Sequence, residues 1–114
     1  MLTLSPSKLA TVILRARKFD ADIPGSGKAR ELKGFIAAMN EDEQADLTAI
    51  MWIGRDTYDA EDLEDAIEMA RTEASVPTAE YLLDNPLLAE HLELGAEALG
   101  IDLEEAEAEA YPTV

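Results

Sequence analysis

Apolar residues in this chain recur at steps of three and four, and each run is bounded by residues that start or stop helices. That periodicity restricts the chain to a packed set of amphipathic helices. Ser5 and Pro6 supply an N-cap and a first-turn proline, and Leu9, Val12, Ile13, Ala16 and Phe19 share one face, predicting a first helix over about 6–19. Asp20 to Gly27 collects two Asp, one Pro and two Gly, the chemistry of a loop. Leu32, Phe35, Ile36 and Met39 mark a second helix, weakened by Gly34.

Asn40, followed three residues on by Glu43 and with Glu41 and Asp42 in the first turn, predicts a capping box. The helix it opens carries Ala45, Leu47, Ala49, Ile50, Met51, Trp52 and Ile53 around most of its circumference, so this third helix should be the central, most buried one, with Gly54 as its stop. Asp59 is the expected cap of a fourth helix over about 60–73, whose inward face is Leu63, Ala66, Ile67 and Ala70 and which Ser75-Val76-Pro77-Thr78 breaks. Ala79 to Leu83 gives a short turn or two. Asn85-Pro86 then reads as a fresh cap opening a last helix over about 86–99. Leu88, Leu92, Gly95 and Leu99 form its inward stripe, Leu87 and Leu94 flank it, Gly95 marks a close helix contact, and Gly100 is the stop. From Asp102 to Ala110 glutamate alternates with alanine around Leu103. The fold expected is therefore all-α: one compact domain of five to six helices over residues 1–100, and an acidic tail or short docking helix over 101–114.

Composition supports the same class. Ala (19) and Leu (15) outweigh Val and Ile, which total ten. Leu, Ile, Val and Phe make up 27 of 114 residues, enough for one core despite the high charge. The absence of cysteine excludes disulfides, thiolate metal sites and cysteine nucleophiles. The first residues lack the basic start and apolar core of an export signal, and the most apolar run, Leu47 to Ile53, is far short of the roughly 20 residues that span a bilayer. A cytoplasmic location without membrane contact is the expectation.

The net charge of −16 hides a division. Residues 1–40 carry seven basic and three acidic groups (+4), and residues 41–114 carry two basic and 22 acidic groups (−20). A basic hairpin thus precedes an acidic body, an arrangement that opposes direct nucleic-acid binding. It either neutralises itself internally or offers its faces to an anion and to a cationic protein.

Three stretches carry a resemblance: Ala16-Arg17-Lys18-Phe19-Asp20; Asn40-Glu41-Asp42-Glu43-Gln44-Ala45-Asp46-Leu47 on through Trp52-Ile53-Gly54-Arg55; and Tyr81-Leu82-Leu83 with Pro86-Leu87-Leu88-Ala89-Glu90-His91-Leu92. Over roughly residues 4–100 the chain resembles a family of small uncharacterised bacterial proteins, mainly alphaproteobacterial, classed only as a domain of unknown function. The resemblance implies a small all-helical bacterial protein and assigns no catalytic or binding residue.

Chemical constellations are sparse. Gly25-Ser26-Gly27-Lys28-Ala29 is like the end of a phosphate-binding loop, but Ala21 stands where the first glycine belongs, Ala29 replaces the hydroxyl residue and no strand precedes it, which favours an ordinary loop. The carboxylates from Asp56 to Asp65 miss the positions of a calcium loop and suit a helix N-terminus. His91 is the sole histidine and sits at the edge of an apolar stripe, so no two-histidine site exists within one chain. The serines occupy cap or loop positions rather than a nucleophile elbow. Trp52 and Arg55 combine residue types favoured in binding hot spots, although a core tryptophan and an arginine that caps carbonyls or pairs with an acid of the fourth helix are the stronger explanation. With Arg15 and Lys18 from the basic face, they are the candidate partner-binding residues. The expected function is a non-enzymatic protein-interaction module or homodimer without cofactor. An acidic nucleic-acid mimic binding a basic partner is the alternative, and a small carboxylate- or metal-dependent enzyme the second.

Overall fold

The computed structural model describes residues 2–21, 28–73, 77–85 and 87–103. Its elements are α1 (Pro6–Ala21), α2 (Lys28–Ala37), α3 (Glu41–Gly54), a 3-10 turn at Ala60–Asp62 leading into α4 (Leu63–Thr72), α5 (Thr78–Leu83) and α6 (Leu88–Ala98). No strand occurs among the described residues. The all-helical expectation is met. Lys28 and Ala29 open α2, whereas Gly25 to Gly27, the break at Ser75-Val76, Pro86 and the acidic stretch from residue 104 lie outside the described residues.

α3 is the central helix. Every residue from Ala45 to Ile53 is buried, as an apolar circumference demands, and the helix packs against α6, α4 and α5. α1 contributes Leu9, Val12, Ile13 and Ala16 to the same core, α2 contributes Leu32 and Ile36, and α6 contributes Leu88, Leu92 and Ala96. Each buried leucine or isoleucine among them stabilises the fold by about 1.5–3 kcal/mol. The capping box is present: the Asn40 side chain accepts from the Glu43 N–H at 2.8 Å, and the Glu43 carboxylate accepts from the Asn40 N–H at 3.1 Å.

Three boundaries differ from the sequence reading. α3 does not stop through Gly54, because the left-handed residue is Asp56 (φ 65°). There the Asp56 N–H donates to the Ile53 carbonyl at 3.1 Å and the Thr57 N–H to that of Trp52 at 2.8 Å, a Schellman closure. Gly54 serves packing instead: a Cβ built on it would collide with the His91 carbonyl oxygen and come 2.8 Å from the Gly95 nitrogen. The fourth helix opens through the 3-10 turn, and Asp59 makes no side-chain cap. α6 is not capped by Asn85; the residue before it is Leu87, left-handed at φ 59°, ψ 34°. The expectations for Gly95 and Gly100 are met. A Cβ on Gly95 would run into the Ile50 carbonyl, and Gly100 (φ +75°) closes α6 with bonds from Gly100 and Ile101 N–H to the carbonyls of Glu97 and Ala96.

The two signs of charge meet within the molecule. Lys8 pairs with Glu43 at 2.5 Å, Arg17 with Glu93, and Lys33 with Glu80 at 3.1 Å, each joining the basic hairpin to the acidic body. α1 is further fixed by Asp46, 1% exposed in the middle of α3, whose Oδ2 accepts from the N–H groups of Thr3 at 2.5 Å and Leu4 at 2.9 Å. Replacing one charged oxygen with an amide oxygen weakens both bonds without removing the acceptor. Asp46→Asn is therefore expected to cost about 1 kcal/mol, read as a lower urea midpoint. The neighbouring Glu43 carboxyl is held below its usual pKa by its bond to Lys8 and then by the Asn40 amide, against an opposing effect of burial. A depressed folded pKa means that Glu43 adds stability in full above the unfolded carboxyl range and loses it as pH falls through the folded value. In the same urea series, acidification through that window should narrow the gap between wild type and Glu43→Gln. An unchanged midpoint in Asp46→Asn, or a pH-independent gap, would contradict this description of the α1–α3 junction.

Candidate functional site

No group of three or more His, Asp or Glu side chains among the described residues is placed to hold a metal ion. The carboxylates from Asp56 to Asp65 instead surround the turn between α3 and α4, mostly exposed. No described helix is long and apolar enough to cross a membrane. Directional polar contacts, aromatic rings and unusual backbone do converge at one place, where the end of α3 meets the link between α5 and α6.

Trp52, on the last full turn of α3, is 9% exposed. Its indole N–H donates to the Tyr81 hydroxyl of α5 at 2.9 Å, and its ring stacks on Tyr58 with centroids 5.7 Å apart and planes at 26°. A buried indole needs an acceptor for its N–H, and Tyr81 provides one. Arg55, exposed one residue beyond α3, donates through Nη1 to Asn85 Oδ1 at 2.7 Å and through Nε to Thr57 Oγ1 at 3.3 Å. As the C-cap of α3 its backbone N–H donates to the Met51 carbonyl at 2.9 Å, so the main chain meets the capping expectation, and no ion pair among the described residues joins its side chain to an acid of α4. Asn85 in turn donates through Nδ2 to the Tyr81 carbonyl at 2.6 Å, so it joins Arg55 to α5 instead of capping α6.

Both non-glycine residues of positive φ among the described residues border this network: Asp56 follows Arg55, and Leu87 follows the Asn85 link. Aspartate tolerates the left-handed region, whereas an ordinary L-residue there costs about 1–2 kcal/mol. Leu87 adopts it while leaving 56% of its surface in water. An apolar residue held in a costly conformation and displayed outward is a feature of functional sites more than of fold maintenance.

Of the four candidates from sequence, Trp52 and Arg55 fall in this one network. Arg15 belongs to the hairpin, its guanidinium carbon 4.9 Å from the Phe35 ring centroid, a cation–π contact between α1 and α2. Lys18 is exposed in the last turn of α1. Sequence reasoning missed Tyr58, Tyr81 and the bridging role of Asn85. Tyr81 lies 29 positions from Trp52, beyond any local periodicity, and the Asn-Pro pair pointed to a cap. His91 sits half-buried on α6 with its carbonyl against Gly54 and its Nδ1 buried without a hydrogen-bond partner.

Residues 29–101 match the model of a family described as a protein of unknown function, DUF3775. The match runs from α2 past the end of α6 and contains the whole network, while the stretch Ala16 to Asp20 precedes it. No curated protein and no solved structure matches the chain.

Proposed function

We propose that this chain, which belongs to the DUF3775 family of proteins of unknown function, binds another protein through the surface where α3 ends and α6 begins. The observation that carries the reading is the Trp52–Tyr58–Tyr81 cluster with exposed Arg55, bonded to Asn85, beside it and exposed Leu87 two residues further along the chain. Tryptophan, tyrosine and arginine are the types that dominate binding energy, and here internal bonds have already restricted their rotamers. Asp56, Asp59 and Asp84, the chain neighbours of Arg55, Tyr58 and Asn85, are exposed, which favours a partner whose complementary surface is basic.

The test compares immobilised wild-type chain with Arg55→Ala/Leu87→Asn, after equal urea midpoints have established that both are folded. Wild type should retain a defined partner, or a second copy by light scattering, with an affinity at least about 30-fold tighter than the variant, the loss expected for removal of a hot spot. Equal retention by both proteins, or none by either, would overturn the reading.

A further inference from the structure

The outer surface of α6 carries an ordered pair of rows. Leu94 and Ala98 are exposed one turn apart on α6, Leu87 is exposed immediately before the helix, and half-buried His91 lies between them at the edge of the contact with α3, so this line flanks the face that buries Leu88, Leu92 and Ala96. Leu87 and Leu94 are 56% and 47% exposed, two of the three large apolar side chains that stand in water among the described residues. Beside that line runs an acidic one, Glu90, Glu93 and Glu97, again at steps of three and four. Glu93 is held by Arg17, and no ion pair among the described residues engages Glu90 or Glu97.

From this juxtaposition we infer that α6 receives an amphipathic helix of a partner protein, with apolar residues seated along Leu87–Leu94 and lysine or arginine facing Glu90 and Glu97. The inference deepens the proposed function and rests on it. From the cap position of Leu87 to Leu94 the axis rises by about 10.5 Å, a spacing that accepts anchors at i and i+7 of the incoming helix. The charge selects the occupant. A second copy laying its own α6 on this face would set Glu90 and Glu97 against the same acids of its partner, on a chain whose net charge is already −16. A basic helix gains from the same row. Leu87 comes two residues after Asn85, which Arg55 holds, so this line begins next in the chain to the Trp52 network.

The experiment titrates the full chain, labelled with nitrogen-15, at physiological salt with two synthetic peptides of equal positive charge. One is a leucine/lysine amphipathic helix and the other a serine/lysine peptide without an apolar side. The leucine/lysine helix should bind saturably, move the amide signals of residues 87–98, and bind at least about tenfold tighter than the serine/lysine peptide, since two leucine contacts are at stake. Leu94→Gln, which leaves Arg55, Tyr58 and Leu87 in place, should lose about tenfold for the leucine/lysine helix alone. Equal binding of both peptides, or of wild type and Leu94→Gln, would overturn the inference by reducing the attraction to charge. A wild-type dimer by light scattering that Leu94→Gln converts to a monomer would also overturn it, because a second copy would then occupy the row. Signals that move only around Arg55 and Tyr58 would remove the helix from α6 and leave the broader reading standing. That broader reading fails separately, through the Arg55→Ala/Leu87→Asn comparison.

Discussion

Gly95→Ala is expected to destabilise the fold by about 3 kcal/mol, although alanine is the better helix former by about 1 kcal/mol. The reason is local and rigid. A Cβ at position 95 meets the Ile50 carbonyl oxygen, lies 2.9 Å from Ile50 Cγ2 and 3.0 Å from the Ile50 carbonyl carbon. Two of those atoms belong to a helical backbone that no rotamer change can move. The helices must separate, and α3 against α6 is the most extensive pair among the described helices. Gly54→Ala confronts the backbone of His91 in the same way and should cost a similar amount. Because both glycines serve one crossing, the separation forced by the first Cβ makes room for the second, so the double variant should lose less than the sum of the single losses. Gly34 provides the internal control. It is exposed within α2 with nothing within 4 Å of a built Cβ, and Gly34→Ala should raise stability by up to about 1 kcal/mol. Urea unfolding of the four variants checks all of these at once. A stabilised Gly95→Ala would show that α3 and α6 do not approach as described.

Gly54 also shows where a sequence stops being legible. A glycine after an apolar run has two physical uses, a left-handed turn or the close passage of another chain segment, and the run alone does not choose between them. The second use depends on His91, 37 positions away. The capping box was legible because Asn40 and Glu43 satisfy each other within one turn. α3 was legible as the central helix because an apolar circumference has no other way to leave water. Asp46 defeats the same logic: it interrupts that apolar helix with a carboxylate that is stable inside only because the amides of Thr3 and Leu4 come to it from the chain start. Its position in an otherwise greasy helix was the available signal. The candidate site was half legible. Residue type singled out Trp52 and Arg55, but their partners Tyr81 and Asn85 lie 29 and 30 positions away. Leu87 and Leu94, expected to flank the inward stripe of α6, face water, since Leu88, Leu92 and Ala96 already fill the contact with α3 and α1.

The function proposed here requires that α6 show one side to the core and the other to a partner, and the chain offers a clean probe because it contains no cysteine. Ala96 is fully buried and Ala98, two residues on, is exposed. A thiol buried at position 96 reacts only when the helix opens, an event costing several kcal/mol in a packed core, whereas one at position 98 reacts at the rate of a free thiol. At about 1.4 kcal/mol for each factor of ten, the two rates should differ by at least about a thousandfold. Thiol labelling of Ala96→Cys and Ala98→Cys in native buffer, with a denatured reference for each, is the most direct measurement. Fast reaction at 98 and strong protection at 96 is the expected result. Comparable fast rates at the two positions would mean that α6 does not hold one side in the core, and protection at 98 would mean that its outer row is not available to any partner.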